Sequence, residues 1–87
     1  MKLYHFQNGL CNTCGSKIRE FRENNRMSQE DLATALQLIG LNINQKAISR
    51  IETGERVIPD YELLYFSKVF EVEITELFPK DQIVEPH

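Results

Sequence analysis

Gln45, Lys46, Ser49 and Arg50 all carry hydrogen-bonding side chains, two of them cationic, at a spacing that places them together on one side of a helix. Such a face can bind something outside the protein through donors and positive charge. On its own it is more often a solvated helix surface. Cys11 and Cys14 form a second grouping, a C-x-x-C that elsewhere opens zinc or redox sites. Zinc normally takes four ligands, and the chain has neither a second C-x-x-C nor an H-x-x-x-H, with His5 and His87 at opposite ends. A thiol in the first turn of a helix can have a lowered pKa, but the strand and helix pattern of a thioredoxin-like site is missing. Three readings of the pair stay open: core packing, half of a zinc site shared between subunits, and redox sensing. No His, Cys or carboxylate has a partner at a spacing that suggests hydrolysis, so the expectation is no enzyme, no catalytic residue, no cofactor and no metal.

The polar face needs a helix to carry it. Asn44 can cap QKAISRIET, whose Ala47, Ile48 and Ile51 line the opposite side, and Gly54 ends it. Before it, Ser28 and Asp31 form a variant capping box opening a helix from Gln29 to about Ile39. In that helix Leu32, Ala35, Leu36 and Ile39 form the buried stripe, and Gly40 serves as the stop. Upstream, GSKIREFREN from Gly15 to Asn24 is a short amphipathic helix with Ile18 and Phe21 inward, broken by Asn24-Asn25. Downstream, Pro59 separates a fourth helix, YELLYFSKVFEV, for which Asp60 is the expected cap and Leu63, Phe66 and Phe70 the inward stripe. Thr75 opens a last turn, TELF, closed by Pro79. Strand character is confined to Leu3 to Phe6, and no repeat is present.

The chain has 87 residues, enough for one small domain and too few for a doubly wound sheet or a barrel enzyme. Ten Lys and Arg against 13 Asp and Glu give a formal charge of -3, which alone argues against nonspecific polyanion binding. The total hides an asymmetry. Met1 to Arg56 hold eight cationic and six acidic residues, a balance of +2, and the remainder holds two against seven, a balance of -5. No apolar run approaches the about 18 residues of a membrane span, and His5, Gln7 and Asn8 interrupt any signal-peptide core, so a soluble, cytoplasmic chain is expected.

SQEDLA, then NQKAISRIETGER, then PDYELL with its Pro before the fourth helix resemble the lambda-repressor-like, Cro/Xre-type helix-turn-helix family. The matching residues are Ser28, Gln29, Leu32, Ala33, Ile43, Asn44, Gln45, Ile48, Ser49, Glu52, Gly54, Pro59, Leu63, Phe70, Val72, Ile74 and Leu77, within roughly Ile18 to Phe78. Two departures stand out. About five extra residues fall in QLIGL between Ala33 and Ile48, and Ser67 stands where the family usually has a small Ala. The resemblance implies that Gln29 reaches a phosphate at a helix N-terminus, where the dipole also favours an anion. It implies that Gln45, Lys46 and Arg50 reach base edges, Gln pairing with adenine and Arg or Lys with guanine. Ser49, Thr53 and Arg56 are expected to flank them with phosphate contacts, and Asn44 completes the DNA-facing set. Lys17, Arg19 and Arg22 are candidates for an extended positive rim. Glu52 reads as structural, because a carboxylate facing phosphates would repel them.

The expected fold is all-α, a compact five-helix lambda-repressor-like domain with a helix-turn-helix. Residues 1–13 form an N-terminal segment, 14–79 the DNA-binding domain and 80–87 a flexible polar tail. The expected function is a sequence-specific transcriptional regulator, a repressor, that binds double-stranded DNA as a homodimer without a membrane or small-molecule partner. Tyr61, Leu64 and Tyr65 fall off the inward stripe of the fourth helix and Val69 borders it, which suggests a subunit interface. The alternative is that Leu3 to Phe6 fold over that stripe. Rival functions are a protein-interaction or antitoxin-type module of the same fold, and a thiol- or zinc-dependent regulator using Cys11 and Cys14.

Overall fold

The computed structural model describes residues 9–80, and among them the fold is all-α, with four α-helices and one short 3₁₀ helix in place of five helices. α1 is Gly15–Asn24, α2 Gln29–Leu38, α3 Gln45–Glu52 and α4 Asp60–Phe70; the 3₁₀ turn is Ile74–Leu77. The possible strand at Leu3 to Phe6, its role as a cover for α4, and most of the polar tail lie outside the described residues.

One core holds the helices together. Ile18 of α1, Leu32 and Leu36 of α2, Ile48 and Ile51 of α3, Phe66 of α4 and Leu77 of the 3₁₀ turn are all fully buried. Their sequence spacing is the helical repeat that aims one side of each element inward. Phe21 stacks on Phe70 with ring centroids 5.6 Å apart, closing α1 against the end of α4. Ser67 is half-buried, and its hydroxyl donates to the Leu64 carbonyl at 2.8 Å, so it needs no partner from the core.

The N-termini of α2 and α3 form as their sequences require. The Asp31 amide donates to Ser28 Oγ at 2.9 Å while the Ser28 amide donates to the Asp31 carboxylate at 2.9 Å, and the Ala47 amide donates to Asn44 Oδ1 at 2.9 Å. Hydrogen bonding of the Asp31 carboxyl to the Ser28 backbone amide, the larger effect, and to the Ser28 side chain holds it below its ordinary pKa. Asp60 departs from expectation. It is the first helical residue of α4, Pro59 occupies the cap position, and no side chain caps that end. The fixed φ of proline pre-forms the entry, and Asp60 and Glu62 instead favour the positive end of the helix dipole. The last turn likewise begins at Ile74, one residue before Thr75, where the Glu73 amide donates to the Glu76 carboxylate at 2.8 Å.

All four α-helices stop in the same way, with a pair of backbone bonds folding the chain back over the last turn. In α2 the Leu41 amide reaches the Leu36 carbonyl and the Gly40 amide the Gln37 carbonyl; in α3 the Glu55 amide reaches Arg50 and the Gly54 amide Ile51. This closure needs a left-handed residue, supplied by Gly40 at φ 106° and Gly54 at φ 81°, but by Arg26 at φ 57° and Glu71 at φ 56° in α1 and α4. The early stop of α2 corrects the expected stripe: Ile39 is 44% exposed, and Leu41, carried back by the turn, is buried in its place. The extra residues between α2 and α3 therefore lie in the connection 39–44 and do not lengthen α2. Leu41 and Ile43 anchor that connection in the core, and Gln37 Nε2 donates to the Ile43 carbonyl at 2.6 Å.

The left-handed positions set a stability ranking. Gly40→Ala and Gly54→Ala should each cost about 1–2 kcal/mol, because a Cβ is disfavoured at that φ. Glu71→Gly should cost nothing, since relief of the same strain offsets the added flexibility of the unfolded chain. Urea unfolding of the three variants checks the order, and glycine replacements as mild as Glu71→Gly would contradict it.

Candidate nucleic-acid interface

α3 presents the polar face that its sequence promised. Gln45, Lys46 and Arg50 are exposed and Ser49 is half-buried on the side away from Ile48 and Ile51. Among the described residues neither Lys46 nor Arg50 takes part in an ion pair, so both charges are available to an outside anion. Asn44 holds the first turn through its cap. At the other end the Thr53 hydroxyl lies 3.1 Å from the Ser49 carbonyl and 2.7 Å from the Glu55 carboxylate, and its one proton serves one of these acceptors at a time, which ties it to the exit of α3.

Behind this face lies a network anchored on Glu52. Its carboxylate accepts Arg22 Nε at 2.7 Å and Arg22 Nη2 at 3.0 Å, a two-pronged pair between α3 and α1. The two side chains are only 3% and 12% exposed, so the pair is shielded from water. Hydrogen bonding to Glu52 raises the Arg22 pKa above its ordinary value. Arg22 Nη1 also donates to the Met27 carbonyl at 2.8 Å, fixing the turn between α1 and α2. Gln29 Nε2 donates to Glu52 Oε1 at 3.0 Å, and Gln45 Nε2 donates in turn to Gln29 Oε1. The direction of this relay is chemically forced. An ionised carboxylate can only accept, so Gln29 turns its amide nitrogen inward and its oxygen outward, and Gln45 must meet that oxygen with its own nitrogen. Gln45 is thereby held at the N-terminus of α3 with its carbonyl oxygen unengaged.

The structural reading of Glu52 thus acquires a partner that the sequence did not identify, because Arg22 and Glu52 are 30 residues apart. The same geometry takes Arg22 out of the expected positive rim. Lys17 pairs with Glu20 at 3.1 Å and Arg19 with Glu23 at 3.3 Å on the surface of α1. Where a phosphate contact was expected of Arg56, its guanidinium binds both oxygens of Glu62 at 2.8 and 3.1 Å. Glu62 is 4% exposed, a buried carboxylate that would be costly without this partner.

Cys14 is a core residue, 3% exposed, and burial pushes its thiol up to about 11, with a hydrogen bond to Thr13 as a smaller opposing effect. At neutral pH it is a thiol, the less nucleophilic form, which favours the packing reading over redox sensing. Cys11 is half-buried, and no group of three or more His, Cys, Asp or Glu among the described residues is placed to hold a metal ion.

Breaking the anchor of the network should be expensive. Glu52→Ala leaves a buried guanidinium without its partner and should cost about 3 kcal/mol, whereas the double replacement Arg22→Met with Glu52→Leu should recover most of it. Urea midpoints of the two proteins decide this, and equal losses in both would show that packing matters there more than charge.

The described geometry agrees with two comparisons. No curated protein matches the sequence. Among solved structures, the restriction-modification controller protein C.AhdI from Aeromonas hydrophila is similar at 26% identity with a TM-score of 0.65, over 75% of this chain and 87% of that one. The helix-turn-helix family model matches residues 18–77, well over half of the chain, from the α1 core residue Ile18 to Leu77 of the last turn. The chain belongs to the helix-turn-helix family of DNA-binding regulators.

Proposed function

We propose that this protein is a sequence-specific transcriptional repressor that inserts α3 into the DNA major groove. The observation that carries the reading is the exposed row Gln45, Lys46 and Arg50, with Gln45 held in place through Gln29. Gln45 offers an amide suited to adenine, while Lys46 and Arg50 suit guanine N7 and O6. Gln29, through its backbone amide at the N-terminus of α2, and Ser49, beside the base-reading row, are the phosphate-side contacts. Asn44, Thr53 and Arg56 support the face through the bonds described above.

The functional unit is a homodimer, with two α3 helices about 34 Å apart on a roughly palindromic site, where bound protein obstructs transcription. Support comes from α4, where Tyr61 and Leu64 are 55% and 53% exposed, more than an unpartnered surface helix needs. Tyr65 lies beside Gly40, which brings the end of α2 with its exposed Ile39 next to this side of α4. No catalytic step is assigned to any residue.

Selection from random double-stranded DNA should return a two-fold symmetric site. On that site the combined Gln45→Ala, Lys46→Ala, Arg50→Ala protein should lose specific binding, and the slope of log affinity against log salt should fall by up to about two, for the two cations removed. Unchanged affinity and slope would overturn the assignment of α3. Leu64→Glu should shift the protein toward monomer in sedimentation equilibrium and weaken binding to the full site more than to a half-site.

A further inference from the structure

Asn12 lies before the residues matched by the family model, yet its side chain is fully engaged with the exit of α3. Nδ2 donates to the Ile51 carbonyl at 3.0 Å and to the Arg56 carbonyl at 2.7 Å, and Oδ1 accepts the Gly15 amide at 2.7 Å. The bonding fixes the amide's orientation, since the reverse would turn its oxygen toward two carbonyls. Next to it the Cys11 amide donates to the Gly54 carbonyl at 2.8 Å. Gly15 belongs to the same contact: a Cβ there would run into the Ile51 carbonyl, so the start of α1 meets the end of α3 backbone to backbone.

These contacts fall at the opposite end of α3 from the Gln29 and Gln45 relay. The relay fixes the first turn, and at the last residue of this eight-residue helix Glu52 is tied to Arg22 by its side chain, so the Asn12 contacts add a hold on the backbone of that end of α3. Its second turn carries Arg50. Asn12 ties Ile51, next to Arg50 in the chain, to the start of α1, and through Arg56 ties the α3 exit to Glu62 on α4. Resting on the reading of α3 as the groove helix, we propose that Asn12 is a positioning residue for DNA recognition, setting the tilt of α3 and hence the register in which Arg50 meets its base.

Two roles of the side chain can be separated. Asn12→Asp keeps an oxygen for the Gly15 amide and so preserves the start of α1, but it loses both donors to α3 and sets a carboxylate against two carbonyls. Asn12→Ser keeps a short acceptor and offers at most one donor, and stands in if the aspartate variant is unfolded at 25 °C by circular dichroism. Each variant is compared with the parent on the selected site and on random duplex across a salt series. The expected result is a fall of about tenfold in the ratio of specific to nonspecific affinity with an unchanged salt slope, because no phosphate contact is lost, together with faster amide exchange at Gly54 and Glu55. If a folded variant keeps the parent's ratio, Asn12 merely caps α1 and the proposal fails while the groove reading stands. A parent that selects no site from random DNA would overturn both.

Discussion

The Arg22 and Glu52 pair is the interaction on which the polar side of this domain depends. It joins α1 to α3 across the core, and through the Met27 carbonyl and the Gln29 amide it fixes both ends of the turn that leads into α2. A buried ion pair is not by itself a strong source of stability, because two charges must leave water to form it. What it contributes here is direction. The carboxylate imposes an acceptor at one point, and each amide beyond it must orient accordingly, out to Gln45 on the surface. Arg56 with Glu62 works similarly on the far side, joining the α3 exit to α4. Two carboxylates that would repel DNA if exposed are instead turned inward and neutralised.

This changes the meaning of the charge asymmetry. The first 56 residues carry a positive balance, with Lys17, Arg19 and Arg22 as candidates for a positive rim, but Lys17 and Arg19 pair with Glu20 and Glu23, and Arg22 and Arg56 with Glu52 and Glu62. Lys46 and Arg50 remain on the face itself. On the proposed reading of α3, few uncommitted cations mean little affinity that is independent of sequence, and discrimination falls to hydrogen bonds whose geometry must be held accurately. A short helix secured at both ends, by Gln29 at one and the Asn12 contacts at the other, suits that requirement.

The connection between α2 and α3 shows how the fold absorbs added length. Gly40 closes α2 at the point where its apolar repeat would have continued, and Leu41 and Ile43 return to the core within the next three residues. Burying two side chains and one glutamine bond keeps a long link from becoming a loose one. The cost is exposed apolar surface at Leu38, 81% exposed, and Ile39.

The sequence by itself determined the four helices, most of the inward stripes and the polar row on α3, because these follow from local rules: a 3.6-residue repeat, caps at Ser28 and Asn44, and left-handed stops at Gly40 and Gly54. It misplaced Ile39 and the cap of α4 where two local signals competed, a continuing apolar stripe against a glycine and an aspartate against a proline. Only the tertiary structure decided which charges are available and what holds α3. Arg22 with Glu52, Arg56 with Glu62 and Asn12 with Ile51 join different elements, and two of the three pairs span 30 or more residues. No periodicity encodes such pairings. A charged or amide side chain on a helix has the same local pattern whether it meets water, DNA or a buried partner, and the packing of the helices selects among them.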